Sequence, residues 1–490
     1  MTRPRAYWSE LLILLFFFAS RTAALTALPL HNDEGLHLTR AIQVWNGHLF
    51  YDISDGKILG IWVIAAFYPQ ISPVFVARIA TLFVSAIGLA AGMALARLAG
   101  KRRSASLIAG FLWLVSPYLF FFERMGLADI EAGATIILLT LALLPDVRNR
   151  RRSILIAGVA LGAAILFKVS TAPFLGIPVL SMLLTQNLSW RTKIKRLVII
   201  YAIALAMFAP AAIYSATRNG FFSIARSWIA GPQASIVTRT FQNTATFSDT
   251  MVATNGLWTL ALLGVPFSLL AGRRGLYILG STIGPLFAIV AFGTDVLDRH
   301  FGAVVPLMTV VAAVGLTRLF ALVTKDNRHW QRPSRMLGQL VLAGGAALVL
   351  IWVWLWAYWP AYFDPASFPL SGPMREQYVT LFPSGYGLRE AIGNLPQMVG
   401  SVNVIGSMTD DGCKRALFYL PAGPSIDCVG IGEGQAQVTQ ALNKTGVAYV
   451  LAENTPIGLD PASVKATWMQ IAVYPRPGNV SRVTLWKVTP

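Results

Sequence analysis

The chain has 490 residues, of which 55% are hydrophobic and 13% are charged, against roughly 25% charged residues in an ordinary soluble protein. Its formal net charge of +18 lies entirely before Pro360, because the remaining tail holds nine basic and nine acidic residues. The apolar residues form runs of about 17 to 25, long enough to cross a ~30 Å hydrocarbon core as helices. These features exclude a soluble globular protein. The basic residues lie in short loops between the apolar runs, which indicates that they set the membrane topology and do not bind nucleic acid.

The apolar runs predict a polytopic α-helical membrane protein with about eleven transmembrane helices. The first run is too long for a signal peptide and has no convincing small-residue cleavage site, so we interpret it as a retained helix. The predicted helices cover residues 8–28, 73–99, 105–122, 127–145, 153–168, 171–186, 197–216, 252–271, 276–292, 302–322 and 337–359.

The basic residues of the short loops give this bundle an orientation. Clusters at 101–103, 150–152 and 273–274 fall on one face, which the positive-inside rule assigns to the cytoplasm. An odd number of crossings then places the N-terminus in the cytoplasm and the C-terminal tail outside it. We expect a multi-pass protein of a plasma membrane, and its compact loops suit a bacterial inner membrane.

The acidic residues concentrate on the opposite, outer face. Ten of the thirteen acidic residues before Pro360 belong to predicted outer loops or outer helix ends. A carboxylate close to lipid is costly and is usually retained for function, together with a partner. The sequence therefore predicts an acidic catalytic or ion-binding cavity on the outer face.

The first outer loop, residues 29–72, is too long to be a simple connection. The run Asn32-Asp33-Glu34 is a typical helix start, and apolar residues recur at helical spacing after it. A second apolar stretch at 58–67 follows Asp55-Gly56-Lys57. We therefore predict two short helices that cover the outer cavity, the first of which lies flat at the membrane interface.

The tail after Pro360 has evenly mixed charges and shorter apolar runs. We predict strands at 402–406 and 447–451 and helices at 387–395 and 434–442. The chain is thus divided into a transmembrane domain, 1–359, and an extracytoplasmic α/β domain, 360–490. The chain's two cysteines, Cys413 and Cys428, lie in this tail, where a disulfide and two buried thiols are both compatible with the sequence.

Several polar motifs follow one another along the chain: Asp33-Glu34, Asp55-Gly56-Lys57, Phe122-Glu-Arg-Met-Gly-Leu-Ala-Asp129, Leu166-Phe-Lys168, Asp298-Arg299-His300 with Pro306, and Pro383-Ser-Gly-Tyr-Gly387. Their order resembles that in the polytopic glycosyltransferases of the GT-C type that use polyprenyl-phosphate-linked sugars, a superfamily that includes the protein O-mannosyltransferases and the lipid A aminoarabinose transferases. Ile58 and His300 stand where these families usually have Pro and Tyr.

The resemblance implies an enzyme that transfers a hexosyl or pentosyl group from a polyprenyl-phosphate donor to a protein, lipid or glycan acceptor. Such a transfer needs a carboxylate that accepts the acceptor's proton and positive charge that stabilises the departing phosphate. The resemblance points to Asp33 as the base, with Glu34 and Asp129 assisting it. The predicted ligands of the donor phosphate are Lys57, Arg124, Lys168, Arg299 and His300.

A divalent cation, Mg²⁺ or Mn²⁺, is compatible with Asp33, Glu34 and Asp129 as its ligands, although no spacing in the sequence requires one. The histidines of the first outer loop, His31 among them, lack the paired spacing of metal ligands and are expected to be interfacial polar residues.

Structural explanations remain open for the same residues. Asp33 and Glu34 could only stabilise a helix N-terminus. Arg124 and Asp129 could form a structural ion pair, and Lys57 could extend to lipid headgroups. The remaining basic residues could be interfacial anchors.

Two other classes of function are alternatives. A lipid or polysaccharide transporter or flippase could use the same cavity, but it predicts inverted repeats and polar helix centres, and the sequence has neither clearly. A non-catalytic receptor or assembly protein could bind partners through the outer domain, but it leaves the carboxylates at the membrane edge without a function.

Overall fold

A computed structural model gives the fold of the chain. It describes residues 7–145, 150–186, 188–218, 220, 222, 223, 235–254, 259, 261–294, 296–325, 344–400, 402–408, 410–421, 423–428, 434–453 and 464–490. Parts of the predicted helices at 252–271 and 337–359 lie outside these residues.

Helices make up most of the described chain. Four 3₁₀ segments, at Val169–Leu175, Leu262–Ala271, Asp298–Ala303 and Pro365–Ser367, lie between or beside the longer helices. A short helix, Gly372–Arg375, continues as a π-helix at Glu376–Thr380. The helices are α1 Trp8–Thr22, α2 Asn32–Trp45, α3 Leu59–Ala66, α4 Pro73–Gly100, α5 Arg103–Leu114, α6 Pro117–Glu123, α7 Ala128–Ala142, α8 Arg150–Phe167, α9 Gly176–Leu184, α10 Trp190–Arg218, α11 Ile236–Thr254, α12 Arg273–Phe292, α13 Val305–Lys325, α14 Gly344–Phe363, α15 Leu388–Val399, α16 Asp410–Leu417 and α17 Gly434–Thr445.

Five of the described helices are long and apolar enough to cross a membrane, and a sixth span results if α5 and α6 are counted as one. The five are α4, α10, α12, α13 and α14. The count of eleven crossings therefore stays a prediction.

A break within a predicted helix explains part of the difference between the eleven predicted spans and the five or six among the described helices. The predicted helix at 105–122 is two helices, α5 and α6, which meet at an angle of 66°. The break falls at Ser116 and Pro117, where Ser116 caps the new helix and proline takes its first position, as is common at helix starts. The predicted helix at 171–186 starts within a 3₁₀ segment that contains Pro173 and continues directly as the short α9.

Residues 29–72, the predicted first outer loop, contain two short helices, α2 and α3, as the sequence predicts. The N-terminus of α2 is closed by a reciprocal cap: the His31 side chain accepts the Asp33 amide, and Glu34 Oε2 accepts the His31 amide at 2.9 Å. This cap fixes the backbone that carries Asp33.

The tail folds into the predicted α/β arrangement. Its strands are β1 Asn403–Ser407, β2 Ser425–Cys428, β3 Ala448–Glu453, β4 Thr467–Pro475 and β5 Arg482–Thr489. They form one sheet in the order β2-β1-β3-β5-β4, in which β1 is parallel to β2 and β3, and β5 is antiparallel to β3 and β4. A disulfide joins Cys413 of α16 to Cys428 at the end of β2, with their Cα atoms 5.8 Å apart.

Candidate active site

Asp33 lies in the first turn of α2 and faces two basic side chains. Its Oδ2 is 2.8 Å from an Arg299 guanidinium nitrogen and 3.3 Å from Lys57 Nζ. The two basic side chains are almost buried, whereas Asp33 keeps 21% of its side-chain surface exposed. The carboxylate is therefore held by cations on one side and is open on another.

Both members of the Asp33–Lys57 pair are ionised near neutral pH. Burial raises the pKa of Asp33, but Arg299 and Lys57 outweigh it and hold the pKa well below its ordinary value. Burial lowers the pKa of Lys57, but Asp33 and Asp55 outweigh it and raise the pKa above its ordinary value.

A tight turn before α3 positions Lys57. Gly56 has a φ of +71°, and a Cβ there would lie 2.3 Å from Val169 Cγ2, so only glycine fits this turn. Asp55 lies 3.4 Å from Lys57 Nζ and 2.9 Å from a guanidinium nitrogen of Arg40, which belongs to α2. These ion pairs connect α2 to the turn that precedes α3.

A second acid–base pair joins Asp129, in the first turn of α7, to Lys168, at the end of α8. The 3₁₀ segment that carries Arg299 packs directly on α7, because a Cβ on Gly302 would lie 3.2 Å from Asp129 Cβ. Arg299 accordingly acts electrostatically on Asp129 as well as on Asp33. The predicted residues Asp33, Lys57, Asp129, Lys168 and Arg299 thus belong to one charged group.

Glu34 does not belong to this group. Its carboxylate is fully buried. It accepts hydrogen bonds from Nε and Nη2 of Arg78, at 2.9 and 2.8 Å, and from the Gly126 and His31 amides. All of its oxygens are therefore occupied by protein. We interpret these contacts as a structural role, in which α2 turns Glu34 toward Arg78 of α4, and the assistance of Glu34 to the base stays a prediction.

Arg124 is also placed elsewhere. Its guanidinium donates to the Ala23 and Ala24 carbonyls at 2.9 and 2.8 Å and stacks over the Phe120 ring at 4.7 Å. It lines a mostly apolar pocket together with Leu28, Phe121 and Phe368. Within the described residues it forms no ion pair with Asp129, so the alternative ion pair is not formed, and the phosphate contact of Arg124 stays a prediction.

The three histidines around the charged group are neutral. Burial lowers the pKa of His31 to about 3 and the pKa of His37 to about 4. Burial also lowers the pKa of His300 well below its ordinary value, and its Nδ1 accepts the Leu297 amide at 3.1 Å. His300 can therefore offer a phosphate one N–H donor, not a positive charge.

The described residues do not contain a group of three or more side chains of the Asp, Glu, His or Cys type that could hold a metal ion. Asp33, Glu34 and Asp129 instead face Lys57, Arg78 and Lys168 respectively. The arrangement does not fit a cation shared by the three carboxylates. The binding of a divalent ion stays a prediction.

Sequence reasoning missed several residues that shape the site. Arg78 sits in a helix whose sequence looks like a plain apolar span, and Arg40 lies on the buried face of α2. Tyr378 comes from the π-helix Glu376–Thr380, after α14, and packs its ring 4.9 Å from the His31 ring. A basic residue inside an apolar run is the one available signal, and it marks Arg78 as a buried partner of an acid.

Part of the chain matches a known protein family, and its fold is similar to solved structures. Residues 55–214, about a third of the chain, match the family profile of dolichyl-phosphate-mannose-protein mannosyltransferase. ArnT from Cupriavidus metallidurans bound to undecaprenyl phosphate is similar with a TM-score of 0.64 at 16% identity, over 98% of each chain. Its apo state gives a TM-score of 0.62 at 17% identity, over 97% of each chain.

An Archaeoglobus fulgidus oligosaccharyltransferase in the apo form is similar over 92% of this chain and 70% of that chain, with a TM-score of 0.55 at 12% identity. No curated protein sequence matches the chain significantly. The chain has a GT-C glycosyltransferase fold. The resemblance drawn from the order of its polar motifs is thereby confirmed.

In this GT-C fold the C-terminal α/β region packs directly behind Asp33. Gly35 of α2 touches Arg415 of α16 so closely that a Cβ would lie 2.8 Å from Arg415 Cβ and 3.0 Å from its Cα. Arg415 is fully buried and held by the Pro383 and Ser384 carbonyls and by Glu453. The neighbour cannot yield, so the contact fixes the position of the first turn of α2.

Replacing Gly35 with alanine is therefore expected to displace Asp33 without removing any polar group. Overpacking costs about 1–3 kcal/mol, and a misplacement of about 1 Å at a reacting group lowers turnover roughly 100-fold. We expect kcat to fall by about 10- to 100-fold in a sugar-transfer assay. Gly393→Ala is the matched control, because Gly393 is exposed in α15 with no atom of the described residues near its added Cβ. Equal kcat values for both variants would contradict a positioning role.

Proposed function

We propose that this chain is an integral membrane glycosyltransferase that moves a sugar from a polyprenyl-phosphate donor to a hydroxyl acceptor on the extracytoplasmic face. The observation that carries the proposal is the contact of one partly open carboxylate, Asp33, with two buried cations, Lys57 and Arg299. The similarity to ArnT bound to undecaprenyl phosphate supports a lipid-phosphate donor.

The proposed reaction is a displacement at C1 with inversion. The acceptor oxygen forms a bond to C1 with its own electron pair, and the bond between C1 and the phosphate oxygen breaks. The electron pair of that bond leaves with the polyprenyl phosphate, and the acceptor's proton passes to Asp33. Lys57 and Arg299 stabilise the charge that develops on the departing phosphate.

The existing ion pairs suit this exchange. Without a ligand, Asp33 neutralises Lys57 and Arg299, which are too buried to stand unpaired. An arriving phosphate takes over part of that role and leaves Asp33 free to accept a proton. Asp129 and Lys168 extend the same charged group, and we assign them to the orientation of Arg299 and the far side of the phosphate.

The proposed placement in the membrane follows the sequence. About eleven helices in residues 1–359 cross the inner membrane with the N-terminus in the cytoplasm. The first loop, 29–72, covers the cavity on the outer face, and residues 360–490 form an extracytoplasmic domain. The five apolar helices long enough to cross a membrane support a multi-pass arrangement.

The proposal is tested with the full chain in lipid nanodiscs and a panel of labelled polyprenyl-phosphate sugars, with protein, lipid and glycan acceptors supplied in turn. We expect release of polyprenyl phosphate and a product of opposite anomeric configuration, detected by NMR. Lys57→Met with Arg299→Met should lower kcat/KM at least about 1,000-fold, because both contacts to the developing charge are lost. Lys101→Met with Arg102→Met, in an exposed loop, is the charge-matched control.

Parallel samples with chelator and with added Mg²⁺ or Mn²⁺ decide whether a metal takes part. No release from any donor by the wild type, with any acceptor, would overturn the proposal and favour a transporter or a receptor.

A further inference from the structure

Two histidines beside Asp33 have opposite hydrogen-bonding roles. His31 Nδ1 accepts the Asp33 amide at 3.2 Å, so the proton of the neutral ring is on Nε2. His37 Nδ1 lies 2.9 Å from the Gly126 carbonyl oxygen, which can only accept, so the proton of that ring is on Nδ1. His31 therefore offers a donor at Nε2, and His37 offers a lone pair.

Both Nε2 atoms are buried, and among the described residues neither has a hydrogen-bond partner. The two side chains are each only 2% exposed. A buried polar atom without a partner is costly and uncommon, and a bound water or ligand is the usual explanation. These two atoms lie beside a candidate active site, where a substrate can supply the partner.

His37 belongs to the same face of the site as the proposed base. It follows Asp33 by one helical turn on α2, and residues four apart on a helix are neighbours. The charged groups that act most strongly on its ring are Lys57, Asp33 and Asp55. The ring thus lies one helical turn from Asp33, with Nδ1 on the Gly126 carbonyl and Nε2 on the side away from Gly126.

The lone pair restricts what can bind there. Phosphate oxygens of a lipid phosphodiester accept hydrogen bonds and do not donate them, so they gain nothing from His37 Nε2. A hydroxyl group can donate to it. A metal ion could also take a lone pair, but the described residues supply no cluster of metal ligands around it.

We propose that His37 is a specificity-determining residue that accepts a hydrogen bond from a hydroxyl of a sugar ring bound beside Asp33. The inference rests on the proposed function. The hydroxyl belongs either to the transferred sugar or to the acceptor, and Nε2–H of His31 provides a second contact, to an oxygen of the bound substrates.

The test compares His37→Asn with His37→Gln. The Asn amide nitrogen stands near the position of Nδ1 and keeps the Gly126 contact, but no acceptor remains at the Nε2 position. The longer Gln side chain can place its amide oxygen there. His48→Asn is the matched control, because His48 is an exposed histidine of the same loop.

Each variant is assayed with the best polyprenyl-phosphate sugar and its monodeoxy analogues, and then with the acceptor and its deoxy analogues. The wild type should reject one deoxy analogue by roughly tenfold or more. That selectivity should vanish in His37→Asn and persist in His37→Gln and His48→Asn. The series in which it vanishes identifies whether donor or acceptor carries the hydroxyl.

A wild type that transfers sugar, with no analogue that distinguishes it from His37→Asn, would overturn this inference and leave the proposed function standing. A second measurement needs no turnover: ¹⁵N-histidine solid-state NMR of the full chain in lipid, with His37 assigned by its loss in His37→Asn. We expect an unprotonated Nε2 that shifts with the sugar-bearing donor or with the acceptor, whichever carries the hydroxyl, and not with undecaprenyl phosphate alone. A protonated Nε2 in the free protein would overturn the inference, whatever reaction the chain catalyses.

Discussion

Asp33→Asn should abolish sugar transfer and leave the protein folded. Asparagine has nearly the same shape, but its amide cannot accept the acceptor's proton. A positioned general base contributes about 100- to 10,000-fold to rate, so we expect kcat to fall by at least about 1,000-fold. Lys57 keeps its contact to Asp55 at 3.4 Å, which limits the destabilisation that neutralising Asp33 causes.

The rate is measured as polyprenyl phosphate released in lipid nanodiscs, and folding as the unfolding temperature of the same sample. Asp364→Asn is the matched control: it neutralises an exposed acid that accepts the Ala366 amide, and asparagine caps such turns as well as aspartate does. Equal release from wild type and Asp33→Asn would remove Asp33 as the base, and Asp129 would then be the carboxylate to examine.

The local features of the fold were the ones that sequence patterns could predict. The start of α2 is encoded in four consecutive residues, because His31 and Glu34 close its first turn on each other. The strands of the C-terminal α/β region follow from short runs of apolar β-formers, as at 448–453. Such features depend on neighbours in the chain and need no knowledge of distant contacts.

The spans were harder because composition does not show where an apolar helix breaks. Residues 105–122 are apolar enough for one helix, yet Ser116 and Pro117 begin a new one at 66° to the first. Proline within an apolar run can kink, end or start a helix, and packing against neighbouring helices decides among these outcomes.

The division of roles between Asp33 and Glu34 could not be predicted at all from the pair itself. Successive side chains on a helix point about 100° apart, so two adjacent acids on α2 cannot both face the same cavity. Which acid faces the cavity depends on Arg78, 44 positions after Glu34, and on the Gly126 amide. These partners are far away in the sequence, and only the fold brings them together.

Arg124 shows that the direction of a basic side chain is equally hard to predict from its sequence motif. Its motif places it five residues before Asp129, yet the chain turns at Gly126 and the two side chains diverge. Arg124 reaches the Ala23 and Ala24 carbonyls at the end of the first helix. A motif fixes the spacing of residues along the chain, but the direction of each side chain follows from the local turn.

Glu34→Gln should destabilise the protein far more than it affects catalysis in the molecules that remain folded. Glu34 and Arg78 are both 0% exposed and bind each other at two points. Removing one partner of a buried ion pair costs about 3–5 kcal/mol, because the other charge stays buried and uncompensated. The measurement is the unfolding temperature in nanodiscs together with the yield of monodisperse protein.

Glu10→Gln is the matched control, because Glu10 pairs with Arg103, whose side chain is 41% exposed, at the surface of the bundle. An exposed pair of this kind contributes about 0–1 kcal/mol. Glu34→Leu combined with Arg78→Leu should recover part of the stability lost in Glu34→Gln, since no unpaired charge is left. If Glu34→Gln instead kept the wild-type unfolding temperature and lost turnover, Glu34 would belong to the chemistry together with Asp33. The structural role assigned to Glu34 would then be wrong, because that role has both carboxylate oxygens bound to protein and leaves neither for a substrate.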